Sequence, residues 1–225
     1  FSPLRLAGHH LMLAFLPFTG EFASMSPEAF AREYIINRFK AVEWVMGENH
    51  AFGRNRVGSK ELLHRDTGTK HFSIFAVSLS SQQNAAISST RIRSRIVSGK
   101  IKEAAAMLGH PYLVYACRTG GKKVGSSLGF PTLNFSLPPS DKVIPPPGVY
   151  AAELESGDTR WRGALYVGNC PTFTGRDYHL EFHAFDAAGN FPRESQMAAL
   201  WIHSFMRGDM TFDSADSLVN QICCD

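Results

Sequence analysis

No apolar run in this sequence is long enough to cross a bilayer, which takes about 20 residues as a helix. The longest, Leu11 to Phe18, is short and is broken by Pro17. It also lacks the charged flank and small-residue cleavage pattern of a signal peptide. Cysteine is scarce, and Cys117, Cys170, Cys223 and Cys224 form no C-x-x-C pair. That argues against a zinc knuckle or a disulfide framework and fits a reducing, cytoplasmic setting. An excess of one charge is missing too: a net charge of +3 and a pI near 8.7 suit anionic ligands such as nucleotides. They are too weak to argue for nucleic acid, so neither a nucleic-acid nor a membrane partner is expected. There is no internal repeat, no low-complexity segment and no opening methionine, the first residue being Phe1. What the chain does have is apolar content, 44% over 225 residues, enough for a core in one large domain or two of ordinary size.

The first hundred residues alternate between strand-like and helix-like patterns. Leu11–Leu16 reads as a buried strand of parallel character. Ser26-Pro27-Glu28 opens a helix that carries Phe30, Tyr34, Ile35 and Phe39. Strands are expected over 42–46 and 72–77, then a polar loop, then a helix capped by Ser88. A further helix over 102–108 closes at Gly109. This alternation predicts an incomplete α/β sheet. Beyond Pro111 the pattern changes to short runs of valine, tyrosine and phenylalanine between glycine and proline clusters, at 113–117, 149–154, 164–167 and 178–185. That predicts an antiparallel β-barrel, with a last helix over 214–222 packed outside it. The expected division is residues 1–107 and 108–225.

Three segments carry chemistry. Gly120 to Asn134 holds four glycines in its first ten residues with Lys122 and Lys123 among them. Such a backbone bends inward and points N–H groups at phosphate oxygens. Thr132 and Asn134, two apart, project to one side, and a hydroxyl beside an amide oxygen suits Mg²⁺. A glycine-rich hairpin with solvated polar residues is the plainer alternative. In Tyr178 to Phe185, alternation sends Tyr178, Leu180, Phe182 and Ala184 to one face and His179, Glu181 and His183 to the other. Glu181 is then a general base if its face lines a pocket, and a solvated residue if it does not. A metal site from the three is disfavoured, because same-face neighbours on one strand lie about 6.5–7 Å apart. Third, Ser88, Ser89, Thr90 and Arg91 sit at a helix start, where free N–H groups and an arginine favour an anion, or serve simply as a cap and a basic face.

Taken together, these segments resemble the bifunctional bacterial riboflavin kinase/FMN adenylyltransferase family. Leu128-Gly129-Phe130-Pro131-Thr132-Leu133-Asn134 resembles the kinase signature L-G-F-P-T-A-N, Gly148-Val149-Tyr150-Ala151 its G-V-Y-A strand, and Leu180-Glu181-Phe182-His183 its L-E-x-H segment. Phe205 to Asp209 and Phe212-Asp213-Ser214 resemble the stretch before its last helix. The resemblance implies an α/β nucleotidyltransferase-like, Rossmann-like but incomplete first part, followed by an antiparallel β-barrel riboflavin kinase. It implies Glu181 as catalytic base and Thr132 and Asn134 as Mg²⁺ ligands. ATP would be held by Gly121, Lys123, Gly125, Ser127, Gly129 and Thr132, and the flavin by Arg207 and Asp209. Substrates and products would be riboflavin and FMN, ATP and ADP. Pro17 to Phe22, Gly47 to Arg54 and Ile87 to Arg93 resemble later motifs of the adenylyltransferase, with Ser88, Ser89, Thr90 and Arg91 as a vestigial phosphate site. The opening motif G-x-F-D-G-x-H-x-G-H is absent, and Gly8-His9-His10 does not replace it. The chain as written is therefore expected to make FMN but not FAD. Two alternatives stay open: a bifunctional enzyme completed by residues upstream of Phe1, and a flavin- or nucleotide-binding protein without turnover.

Overall fold

The computed structural model of the chain describes residues 13–58, 72–78, 81–82, 85–121, 129–137, 142–170, 177–185 and 191–225. The chain splits into two compact units, Phe1–Ser81 and Gln82–Asp225. Among the described residues no helix is long and apolar enough to cross a membrane.

In the first unit, Thr19 and Ser26 cap α1 (Gly20–Ser24) and α2 (Pro27–Phe30), each hydroxyl accepting a first-turn N–H at 3.2 Å. Helix α2 runs on into a π-helical stretch, Ala31–Arg38, where the Phe39 N–H donates to the Tyr34 carbonyl at 2.9 Å. Phe30 and Tyr34 stack on that segment, their centroids 5.7 Å apart. Strands β1 (Glu43–Gly47) and β2 (Ser73–Val77) pair in parallel, Glu43 opposite Ser73. Met46 and Ile74 bury one face of this pair with Ala31 and Phe52. The run Leu11–Phe18, expected as a buried strand, is not a strand over its described residues, and Leu13, Phe15 and Phe18 are exposed. Pro17 lacks the N–H that a ladder needs, and apolar composition alone provides no pairing partner. Two two-residue strands follow, β3 (Ser81–Gln82) and β4 (Ala85–Ala86).

In the second unit β4 is followed by a helical hairpin. Ser88 caps α3 (Ser89–Val97), its hydroxyl accepting the Arg91 N–H at 3.3 Å, and α4 (Ile101–Leu108) ends on Gly109 in the left-handed region. Six strands then close a barrel: β5 (Tyr112–Thr119), β6 (Thr132–Ser136), β7 (Gly148–Ser156), β8 (Thr159–Cys170), β9 (Asp177–Ala184) and β10 (Met197–Arg207). Their order around the barrel is β10-β5-β6-β9-β8-β7. All the ladders are antiparallel, so no edge is left open. Alternation fills the interior with Phe135, Tyr150, Leu154, Leu165, Val167, Leu180, Phe182, Leu200 and Ile202, each no more than 2% exposed. Ile96, Ile101 and Ala104 of the hairpin belong to this same core. The packing division at Gln82 thus lies upstream of the division at 108 drawn from the sequence motifs, because the hairpin buries its apolar stripe with the barrel. Helix α5 (Ala215–Cys224) closes the chain, with Ser214 and Ser217 forming a capping box.

Candidate active site

Register builds the site. Asn134 of β6 lies opposite Glu181 of β9, which lies opposite Tyr166 of β8; Tyr166 faces Val149 of β7, and Val149 faces Arg207 of β10. This row runs around the outer face of the barrel. Directly behind it, Leu165, Leu180 and Phe182 point inward and pin the backbone. Strand β10 reaches Arg207 through two register shifts along β7, at Ile202/Ser204 and Phe205/Arg207. Such irregularities re-aim a strand's last side chains.

A cavity of about 380 Å³ opens over this row. Among the described residues its polar wall is Thr132, Tyr166, Glu181, His183, Arg207, Asp209 and Asp225, and its apolar wall includes Phe130, Phe185, Phe212 and, from α5, Leu218 and Ile222. That size and mixture suit a small, largely aromatic ligand. A second cavity, about 440 Å³, lies in the first unit between Phe18, Phe22, Phe30 and Phe52, and among the described residues no ionisable side chain lines it. The acid and base groups described beside a cavity are those of the barrel.

Thr132, Glu181, Arg207 and Asp209, expected from the sequence to act together, are therefore brought together. Glu181 is a third exposed, and its carboxylate is hydrogen-bonded to the His179 ring. Asn134 is 7% exposed and does not line the cavity. Gly121 passes directly over its amide: a Cβ there would come within 2.5 Å of Cγ, so only glycine fits. His183 donates from Nδ1 to the Pro131 carbonyl at 3.1 Å, with Phe130 edge-on at 5.4 Å. This ties the exit of the glycine-rich segment to β9. Gly129 is exposed, with φ +85°. Lys123, Gly125 and Ser127 lie outside the described residues. None of Ser88, Ser89, Thr90 and Arg91 lines the cavity. Ser88 caps α3, and the Arg91 guanidinium donates to the Ala86 carbonyl at 2.5 Å.

Arg207 also anchors the last residue of the chain. Its Nε and Nη2 grip the Asp225 carboxylate at 2.7 and 2.6 Å, while Gln221 donates to the same group at 2.9 Å. The Arg207 hydrogen bonds, with help from Gln221 and against the effect of burial, hold the Asp225 carboxyl below the usual carboxylate range. A depressed folded-state value stabilises the fold at neutral pH, and the contribution is lost as pH falls through that value. Asp225→Ala is therefore expected to lower stability by about 1–3 kcal/mol at pH 7. The gap to the parent should narrow below about pH 4, measured by urea unfolding across pH. A gap that is constant with pH would contradict this.

Sequence reasoning missed Tyr166 and Asp225. Tyr166 donates to both Asp209 oxygens at 3.3 Å. Burial first, then the Asp209 and Glu181 charges, push its pKa up against the opposing Arg207, so it stays a neutral donor between two carboxylates. Alternation against the buried Leu165 and Val167 was the available signal for it.

Comparison with known families agrees with this geometry. The family model described as riboflavin kinase matches residues 108–225, more than half of the chain. The chain belongs to the riboflavin kinase family. A second family model, described as FAD synthetase, matches residues 7–91. Relatives of this family member include the bifunctional riboflavin kinase/FMN adenylyltransferase of Escherichia coli K12, 29% identical over 92% of this chain. The protein of the same description from Bacillus subtilis is 30% identical over 94%. The chain spans 66% of the length of each of these relatives. Among solved structures, a Streptococcus pneumoniae protein described as a macrolide-efflux protein superimposes with a TM-score of 0.82 at 29% identity, over 92% of this chain and 66% of that one.

Proposed function

We propose that residues 108–225 act as a riboflavin kinase, transferring the γ-phosphoryl group of MgATP to the ribityl 5′-hydroxyl of riboflavin to give FMN and ADP. One observation carries the reading: a carboxylate, Glu181, opens into an aromatic-walled cavity one ladder step from Asn134 and on the same wall as Thr132. In this reading the isoalloxazine ring lies among Phe130, Phe185 and Phe212, with Arg207 and Asp209 at its polar edge. Glu181 accepts the hydroxyl proton as the oxygen attacks. Alignment and charge neutralisation do most of the work in phosphoryl transfer, so a small set of groups suffices. Gly121 and Gly129 would hold ATP with the glycine-rich segment between them.

The donor set fits Mg²⁺. Thr132 and Asn134 supply a hydroxyl and an amide oxygen, hard donors of the kind Mg²⁺ takes, from one face of β6, with Gly121 packed close over the Asn134 amide. Bound there, the ion would neutralise phosphate charge. Thr132→Ala and Asn134→Ala are each expected to raise the Mg²⁺ concentration needed for half-maximal activity about tenfold. Parent-like Mg²⁺ dependence in both variants would remove these ligands from the scheme.

Riboflavin-dependent release of ADP tests the reading as a whole. Binding of flavin without ADP release would favour a non-catalytic binder instead. A second reading, a bifunctional kinase and FMN adenylyltransferase, is favoured by the FAD synthetase match over residues 7–91. Conversion of FMN and ATP to FAD would support it.

A further inference from the structure

We infer that His179 is a positioning residue for Glu181: its ring Nε2–H holds carboxylate Oε1, leaving Oε2 as the oxygen that takes the substrate proton. This rests on the kinase reading of the same site and extends it to a side chain outside the cavity. A glutamate on an open strand face turns about three side-chain torsions, and that freedom works against a base that must meet one proton in one geometry.

The two flanking strands do not fix it. On β6 the residue opposite is Asn134, buried beneath Gly121. On β8 it is Tyr166, whose hydroxyl is directed to Asp209. Among the described residues, the hydrogen-bond partner of the Glu181 carboxylate is His179, two residues back on the same face of β9. The residue opposite His179 is Gly168, where a Cβ would come within 2.7 Å of the Tyr166 ring. Gly168 thus lets the Tyr166 ring lie down over β8 and puts no side chain of its own across from the His179 imidazole. The His179 side chain is 44% exposed and does not line the cavity, so any effect it has on the reaction passes through Glu181.

His179→Phe keeps a ring but removes the donor, whereas His179→Gln places an amide N–H near the position of Nε2. With the full chain at saturating Mg²⁺, His179→Phe is expected to lower kcat about tenfold with both KM values within about twofold of the parent, and His179→Gln to stay within about threefold of parental kcat. In a Glu181→Gln background, His179→Phe should cost nothing further. Parental kcat in His179→Phe overturns the inference. So does a raised KM at unchanged kcat, a His179→Gln variant as slow as His179→Phe, or a further tenfold loss in the Glu181→Gln background. A parent that releases no ADP with riboflavin would instead sink the kinase reading itself, an outcome readily told apart because the other failures all leave the parent active.

Discussion

Glutamine at position 181 is expected to lower turnover by about 10²–10⁴-fold while riboflavin and MgATP still bind. A ribityl hydroxyl is a poor nucleophile at neutral pH, so attack needs a proton acceptor within hydrogen-bond reach. Glutamine keeps the size and the capacity to pair with His179 but cannot take that proton. The ligands proposed for the metal are on β6, and the flavin-edge residues Arg207 and Asp209 lie at and just beyond the end of β10, so neither set is altered. The measurement is therefore paired, turnover and ligand binding on the same protein. A fall of less than about tenfold with binding intact would rule out general-base catalysis here. Loss of binding as well would make Glu181 a structural residue.

Phe182→Ala should cost about 3–5 kcal/mol of stability. Phe182 is 0% exposed, and its neighbours across the two ladders are Leu133 of β6 and Leu165 of β8. Removing the ring from the middle of a closed barrel leaves a space that six mutually paired strands cannot collapse into. The check is the urea midpoint at unchanged m-value. A loss below about 1 kcal/mol would mean that the barrel interior repacks around the gap, contrary to the density expected of such a core.

The barrel was legible because its inward residues alternate and its turns carry glycine and proline. Alternation separated Leu180 and Phe182 from Glu181 correctly, since the strand is buried on one face only. Helix starts at Ser26 and Ser88 were legible because the capping hydroxyl acts locally. Strands β6 and β10 were not read. The first is short and hidden in a polar signature, and the second carries two register shifts that break its period. Leu11–Phe18 failed the other way, because apolar content says nothing about a pairing partner. The Arg207–Asp225 pair spans 18 residues and needs α5 to fold back on the end of β10, and Tyr166–Asp209 spans 43 and needs the barrel strands assembled, so neither follows from a local pattern.

The helical hairpin bears on how the barrel could be moved or exchanged between proteins. Residues 92–107 fall between the two family matches and belong to neither by sequence. Yet Ile96, Ile101 and Ala104, at 2%, 1% and 0% exposure, are as deeply enclosed as the strands themselves. A fragment cut at residue 108 would carry every proposed kinase residue and still leave an apolar flank of the barrel open to water, inviting self-association. The transferable unit is the one beginning near Gln82. In a graft or gene fusion, the hairpin travels with the barrel as part of its core, not as a tether to be trimmed.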